Sequence, residues 1–137
     1  REPWEAYLHS VGAMGEDEKE RLLARDVRAA VGRYRTADLF AELWGSSSAR
    51  DPLARIQYID LKTWLPDDIL TKVDRACMAS ALEVRSPLLD QRVVEYAAAL
   101  PAGAKLRGSR SKLALRAAVG ALLPAEVLRR PKRGFSM

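Results

Sequence analysis

Apolar residues return every three or four positions along most of this chain, which is the spacing of one face of an α-helix. Between Glu16 and Val31, leucine, valine and alanine follow this spacing behind an acidic first turn. No stretch alternates strictly between apolar and polar residues for long enough to indicate a β-strand. The 137 residues are 48% hydrophobic, which suits one folded domain with a core. The sequence therefore predicts an all-α fold, with one helix over residues 16–31 and its apolar stripe buried.

Residues that favour helix ends divide the first half of the chain into successive helices. Thr36 is predicted to cap a helix over residues 37–44, and Asp51 a helix that runs from Pro52 to about Trp64. A further helix is predicted from Pro66 to about Leu82.

Helix signals continue in the second half. Asp90 is predicted to cap a helix that ends before Pro101, and either Ser109 or Ser111 to cap the next one. Pro124 begins a short last turn. Four aromatic residues share the helical spacing of other apolar residues, and this predicts that they lie in the core: Tyr7, Trp44, Tyr58 and Trp64.

The scarcity of cysteine and histidine excludes several classes of site. Cys77 and His9 are the single residues of their kinds, so a disulfide framework and a His/Cys metal cage are excluded. Asp67 and Asp68 fit a metal site less well than helix capping, because they follow a proline at a helix start. No apolar run approaches the roughly eighteen residues of a membrane span, and the first residues do not resemble a signal peptide. We expect no metal site, no membrane span and a cytoplasmic location.

Positive charge is concentrated at the C-terminal end. The chain carries a formal net charge of +5, whereas residues 101–137 contain nine lysines and arginines and one acid, Glu126. This asymmetry indicates an anionic partner, whether a phosphate, a nucleotide, a nucleic acid or an acidic domain, or else a solvated basic face. No aromatic residue stands among these cations before Phe135, which disfavours nucleic acid.

Four blocks of sequence occur in a fixed order across the rest of the chain. They are YIDLKTWLPDDILTKVDR at 58–75, LEVRSPLLD at 82–90, KLRG at 105–108, and RPKRGF at 130–135. Together they closely resemble the C-terminal synthetase region of glutamine-dependent asparagine synthetases. These sequence blocks are also similar to those of the exosortase-associated amidotransferases of that family. The resemblance covers residues 51–137 well, as the family core with its basic C-terminal segment, and residues 1–50 only loosely.

This resemblance implies that residues 1–137 are a single helical fragment of a longer enzyme. It would be the helical C-terminal half of an α/β synthetase domain with the ATP-pyrophosphatase fold, which is like that of the adenine nucleotide alpha hydrolases. In the family, ATP and Mg²⁺ activate the side-chain carboxylate of aspartate as an acyl-adenylate, and ammonia from glutamine displaces AMP. The ATP loop lies upstream, so ATP and Mg²⁺ would be bound mainly there, and the fragment alone is expected to be inactive. Its partners would be the upstream sheet and an N-terminal glutaminase domain.

The resemblance also implies roles for individual residues. Lys132 matches the active-site lysine that reaches the phosphates and the adenylate, and Lys112 is similar to a second cation facing the phosphates. Glu83 matches an acidic position that would take part in catalysis by orienting the amine nucleophile, and Arg85 would bind the aspartate-like substrate. One departure is Ser86, where the family usually has an apolar residue before the proline.

Other functions fit the same residues. The parent could amidate a carboxylate other than that of aspartate. The basic segment could instead make the chain a helical nucleic-acid-binding module, or the piece could be purely structural. A homodimer is compatible with each of these hypotheses.

Overall fold

Helices make up most of the computed structural model, which describes residues 2–130. The chain divides into two compact units, the first ending at Ser86 and the second beginning at Pro87. The helices of the first unit are α1 (Pro3–Val11), α2 (Glu16–Leu22), α3 (Arg25–Val31), α4 (Thr36–Ser46), α5 (Pro52–Lys62), a π-helical segment (Leu65–Leu70) and α6 (Thr71–Met78). The second unit contains a 3₁₀ turn (Pro87–Leu89), α7 (Gln91–Ala99), α8 (Ala102–Lys105), β1 (Leu106–Arg107), β2 (Arg110–Ser111), α9 (Leu113–Val119) and α10 (Ala125–Arg129). The predicted all-α class is confirmed, with one short hairpin added.

The core of the first unit lies where α1, α4 and α5 pack together. Ile59 on α5 is completely buried, and Phe40 on α4 is 7% exposed. The ring of Tyr7 on α1 lies 6.2 Å from that of Phe40, centroid to centroid. The Tyr7 hydroxyl donates a hydrogen bond to the carboxylate of Asp60, which ties α1 to α5. These three helices form the three-helix bundle of the first unit.

Of the helix caps predicted at Asp51, Asp90 and Thr36, the first two are confirmed and the third is wrong. The Asp51 carboxylate accepts the backbone N–H of Ala54 at 3.1 Å, and that of Asp90 accepts the N–H of Arg92 at 3.0 Å. Thr36 is instead the first residue of α4, and its hydroxyl oxygen accepts a hydrogen bond from Lys19 Nζ at 2.9 Å. The threonine side chain therefore links two helices and does not cap one.

The single helix expected over residues 16–31 is two helices. Leu23 and Ala24 between them have ψ angles of 131° and 154°, far from helical values. Each of the two helices has charges that stabilise one of its ends. Basic residues lie in the last turn of α2, and Asp26 lies in the first turn of α3. The predicted buried stripe is also wrong, because Leu22 is 69% exposed.

The helix expected from Pro66 to Leu82 is shorter and begins irregularly. Its first turn is π-helical. The α-helix α6 ends at Met78, where the sequence has no glycine or proline that would predict a helix end. Trp64, predicted to lie in the core, is 57% exposed. The predictions that Asp67 and Asp68 cap this helix are wrong, because no side chain accepts a capping hydrogen bond there.

A two-stranded antiparallel hairpin replaces the serine cap expected before α9. Arg107 pairs with Arg110 across a two-residue turn, in which Gly108 has a φ of 57°. Ser111 belongs to β2, and Lys112 occupies the N-cap position with a φ of 59°. Strands of two residues are too short to show alternation, so the sequence pattern did not reveal them.

Candidate functional site

An open groove of about 610 Å³ lies in the first unit. Its walls are the π-helical segment, α6 and residues 82–86. The apolar lining residues are Pro66, Leu70, Val73, Met78, Leu82 and Val84. The polar or ionisable ones are Thr71, Asp74, Cys77, Glu83, Arg85 and Ser86. The volume falls within the range of about 300 to 1,000 Å³ that is typical of small-molecule sites.

The groove forms because the chain turns back after α6. Ala81 adopts a left-handed conformation, with a φ of 53°, and the N–H of Leu82 donates to the carbonyl of Cys77 at 3.0 Å. Residues 82–86 then run without regular structure and line the same groove as the helix. Because Leu70, Asp74 and Cys77 are spaced by three and four residues, they share the face of the helix that lines it.

Two predicted site residues meet at this groove. The guanidinium of Arg85 forms an ion pair with the carboxylate of Glu83. Their side chains are 86% and 69% exposed, respectively. An ion pair so open to water holds its partners weakly, so either group can exchange its partner for a charged ligand. The guanidinium is suited to binding a carboxylate through two parallel hydrogen bonds, and the carboxylate accepts from an amine.

Further groove residues were not predicted as site residues. Asp74 and Cys77 both line the groove, where Cys77 is half-buried. The helical spacing of these residues with Leu70 was visible in the sequence. What the sequence did not show was that residues 82–86 would return along this face.

Asp68 lies on the π-helical segment, and its carboxylate is bound by neighbouring side chains. Its carboxylate accepts from Lys72 Nζ and from the indole N–H of Trp64, each at 2.9 Å. The hydrogen bond from Lys72 lowers the pKa of Asp68 more than any other contact, and the bond from Trp64 lowers it further. Between residues 2 and 130, no group of three or more His, Cys, Asp or Glu side chains is arranged to hold a metal ion.

The two predicted phosphate-facing lysines lie elsewhere in the chain. Lys112 is exposed in the second unit, directly after the hairpin. Lys132 lies outside the described residues. The structure therefore brings Glu83 and Arg85 together at one groove of the first unit, while Lys112 belongs to the other unit.

Comparison with known proteins tests the family resemblance. The chain matches the asparagine synthase family over residues 2–137. The chain belongs to the asparagine synthase family. It is 50% identical over 98 residues to a Mycobacterium tuberculosis protein named as an asparagine synthetase (glutamine-hydrolyzing), a match covering 72% of this chain and 15% of that protein. Asparagine synthetase (glutamine-hydrolyzing) 1 of Bacillus subtilis is 37% identical over 98 residues, covering 72% of this chain and 16% of that protein.

The match covers only a small part of these relatives. The chain spans about 15% of the length of the curated proteins it matches. No solved structure matches the chain. Among residues 2–130, no helix is both long enough and apolar enough to cross a membrane. The predicted resemblance is confirmed, and the activity of a whole enzyme has to be argued from these residues as a proposal.

Proposed function

We propose that this chain is the C-terminal part of the synthetase domain of a glutamine-hydrolysing asparagine synthetase. The parent enzyme would use ATP to activate the side-chain carboxylate of aspartate as an acyl-adenylate, and ammonia from glutamine would then displace AMP. The observation that carries this proposal is the match to the asparagine synthase family over residues 2–137. The parent is thus a carbon–nitrogen ligase with glutamine as the amido donor.

In this proposal the groove of the first unit holds the aspartate-like substrate. Arg85 binds a substrate carboxylate, and Glu83 orients the amine nucleophile by accepting its N–H. The exposed ion pair at the groove supports these roles, because its cation suits a carboxylate and its anion suits an N–H donor. Apolar residues of the π-helical segment, α6 and residues 82–86 form the rest of the wall.

Lys112 and Lys132 are proposed to face the phosphates of ATP. Lys112 is an exposed cation, and among residues 2–130 no acidic side chain forms an ion pair with it, which suits an anionic ligand. A lysine near the leaving pyrophosphate would offset the charge that develops on it. Mg²⁺ does not fit the described residues, which provide no carboxylate cluster, so we assign Mg²⁺ and most of the ATP contacts to the upstream part.

The partners in this proposal are the upstream synthetase sheet and the glutaminase domain. Large apolar side chains that are more than two-thirds exposed support this assignment; they are Leu22, Tyr96 and Leu122. Apolar surface of this kind is stabilised when another layer covers it. We place the enzyme in the cytoplasm, where ATP drives such ligations, and a homodimer of the parent is compatible with this arrangement.

The test is an activity assay of the full-length enzyme with aspartate, ATP and either glutamine or ammonia. We expect Lys132→Ala to lower kcat by about 100-fold or more, since it removes a charge opposed to the leaving group. Arg85→Ala should chiefly raise the KM for aspartate, and Glu83→Gln should chiefly lower kcat. Arg28→Gln, an exposed change on α3, serves as the control and should change neither value.

Two results would contradict the proposal. Amidation of a different carboxylate, with aspartate left unused, would replace asparagine synthesis by another amidotransferase activity. Amide synthesis by the isolated chain would show that it does not depend on upstream residues for its chemistry.

A further inference from the structure

Opposite charges are separated along the segment that contains α2 and α3 in the first unit. Residues 16–35 contain five acidic and six basic side chains, so the segment is almost neutral as a whole. Four of the acids lie between residues 16 and 20, whereas five of the bases lie between residues 21 and 35. The segment therefore has an acidic half, which begins α2, and a basic half, which includes α3.

Helix α3 is exposed along its whole length. Each of its seven residues, Arg25–Val31, is exposed, and the apolar side chains of Val27 and Val31 are 41% and 46% exposed. A helix of this length is marginal in water without tertiary packing, and apolar surface is stabilised when another surface covers it. We therefore expect a partner surface to stabilise α3.

Four charged side chains of this segment have no counter-charge within the described part of the chain. Asp17 and Glu20 on α2 and Arg25 and Arg28 on α3 are exposed, and among residues 2–130 none of them forms an ion pair. Arg25 is also the first residue of α3, where the helix dipole disfavours a cation. An anion beside Arg25 would offset this unfavourable charge.

Other charged side chains of α2 differ, because they already have partners. Lys19 Nζ lies 3.0 Å from the carboxylate of Glu16 and donates to the hydroxyl oxygen of Thr36 at 2.9 Å. The Glu18 carboxylate accepts the backbone N–H of Gly15 at 2.9 Å. These contacts stabilise the fold of the first unit, whereas the four charges without partners are available for another molecule.

The two halves of the segment carry side chains at matching intervals. Residues three apart lie on the same face of a helix. Antiparallel packing of α2 from one copy of the chain against α3 from another would place each acid of α2 opposite an arginine of α3. It would also place Met14, just before α2 and 50% exposed, opposite Val31 at the end of α3. The matching sets, each with intervals of three residues, are Met14, Asp17, Glu20 and Arg25, Arg28, Val31.

A second copy of the chain fits this surface better than a partner with charges of one sign. An acidic protein segment would be attracted to the arginines of α3 but repelled by Asp17 and Glu20, and a basic segment would meet the opposite conflict. A second copy supplies both signs of charge. A two-fold axis would also form each contact twice, as in other isologous dimers.

We propose that α2 and α3 form an isologous interface between two copies of this chain, in which Asp17 and Glu20 of one copy pair with Arg28 and Arg25 of the other. None of these four residues lines the groove of the first unit, so the interface does not depend on the proposed function. Loss of the dimer should leave amide synthesis by the parent unchanged.

Sedimentation equilibrium of the chain at low ionic strength tests the interface. We expect D17K/E20K and R25E/R28E each to raise the dimer dissociation constant by at least about tenfold, because like charges then face each other. An equimolar mixture of the two variants should dimerise as the unsubstituted chain does, since every pair is again opposite in sign. E95K/E126K, at exposed positions of the second unit, changes the net charge as D17K/E20K does and should leave the constant unchanged.

Amide NMR of the unsubstituted chain keeps the test independent of how the variants fold. Dilution should shift the signals of Glu20 and Arg25 but not those of Glu95 and Glu126, and unmoved Glu20 and Arg25 signals would overturn the proposal.

Three sedimentation results would also overturn the proposal. The first is a chain that stays monomeric at every concentration, and the second is a mixture of the two variants that does not dimerise although each variant keeps its helical circular dichroism. The third is a dimer that R25E/R28E abolishes and D17K/E20K leaves intact, which would assign the arginines to a different acidic surface.

Discussion

The three-helix bundle and the second unit both contain helices with regularly spaced apolar residues. These residues are buried to very different extents in the two regions. In the bundle, Ile59 is fully buried and Phe40 is 7% exposed. In the second unit no described residue is buried to that extent, and Tyr96 and Leu122 are 70% and 80% exposed. Both regions nevertheless contain amphipathic helices with recognisable ends.

The difference shows that regularly spaced apolar residues predict a helix but do not predict how far that helix is buried. In the bundle, contacts between residues far apart in the chain, such as Tyr7 with Asp60, hold α1 against α5. The side-chain contacts of the second unit span shorter stretches of chain, as that of Arg92 with Asp90 and that of Arg116 with the carbonyl of Leu128. Since burial of apolar area is the main stabilising contribution to folding, the bundle should resist unfolding more than the second unit does.

The largest expected effect is that of truncating the buried side chain of the bundle. Ile59→Ala should lower the free energy of unfolding by about 2 to 5 kcal/mol, because it removes buried methyl groups and leaves a cavity. Urea unfolding followed by far-ultraviolet circular dichroism, which reports the helices of both units, measures this change. Leu122→Ala in the second unit is the control, and its effect should stay within about 0.5 kcal/mol. Equal losses from the two changes would remove the distinction between the regions.

The next effect tests the polar contact inside the bundle. Tyr7→Phe removes the hydroxyl that donates to Asp60, and leaves a partly buried carboxylate without that partner. We expect a loss of about 1 to 3 kcal/mol in the free energy of unfolding. Tyr34→Phe, at a ring that is 62% exposed, should have almost no effect. A Tyr7→Phe chain as stable as the parent would mean that apolar packing alone holds α1.

The same contact gives the bundle a pH dependence at the alkaline end. Burial, followed by the hydrogen bond to Asp60 and its negative charge, raises the pKa of Tyr7 above the ordinary value of 10.0. The protonated phenol is therefore favoured in the folded state. Its contribution is complete below pH 10.0 and decreases as the pH rises through that value, because only the unfolded chain then loses the proton. In Tyr7→Phe this part of the alkaline loss should be absent.

The structural features that the sequence predicts correctly depend on interactions between residues close together in the chain. The caps at Asp51 and Asp90 are predicted correctly, since a cap needs only a side-chain oxygen and a backbone N–H two or three residues away. Trp64 was placed in the core by its spacing, but its indole N–H bonds to Asp68 at the surface. The spacing gave no information about which face would meet another helix.

The candidate site shows the same limit. Glu83 and Arg85 were named through the family resemblance, and their predicted roles stay predictions. The groove around them depends on the left-handed turn at Ala81, for which the sequence offers no glycine signal. Contacts made by a returning segment need the fold before they can be predicted.

The smallest expected effect concerns the local contact that begins α7 in the second unit. The side-chain hydrogen bond from Arg92, and next its backbone N–H, lower the pKa of Asp90 below the ordinary value of 3.8. A lowered carboxyl pKa stabilises the fold above pH 3.8, and that stability is lost as the pH falls through the lower folded value. The NMR signal of the Arg92 amide should report the titration of the Asp90 carboxyl. In Arg92→Gln the amide signal of residue 92 should show this titration at a higher pH. In the bundle, Ile59 amide exchange should not respond to this substitution. If it did, the two regions would be coupled, and the contrast between a buried bundle and a locally held second unit would have to be given up.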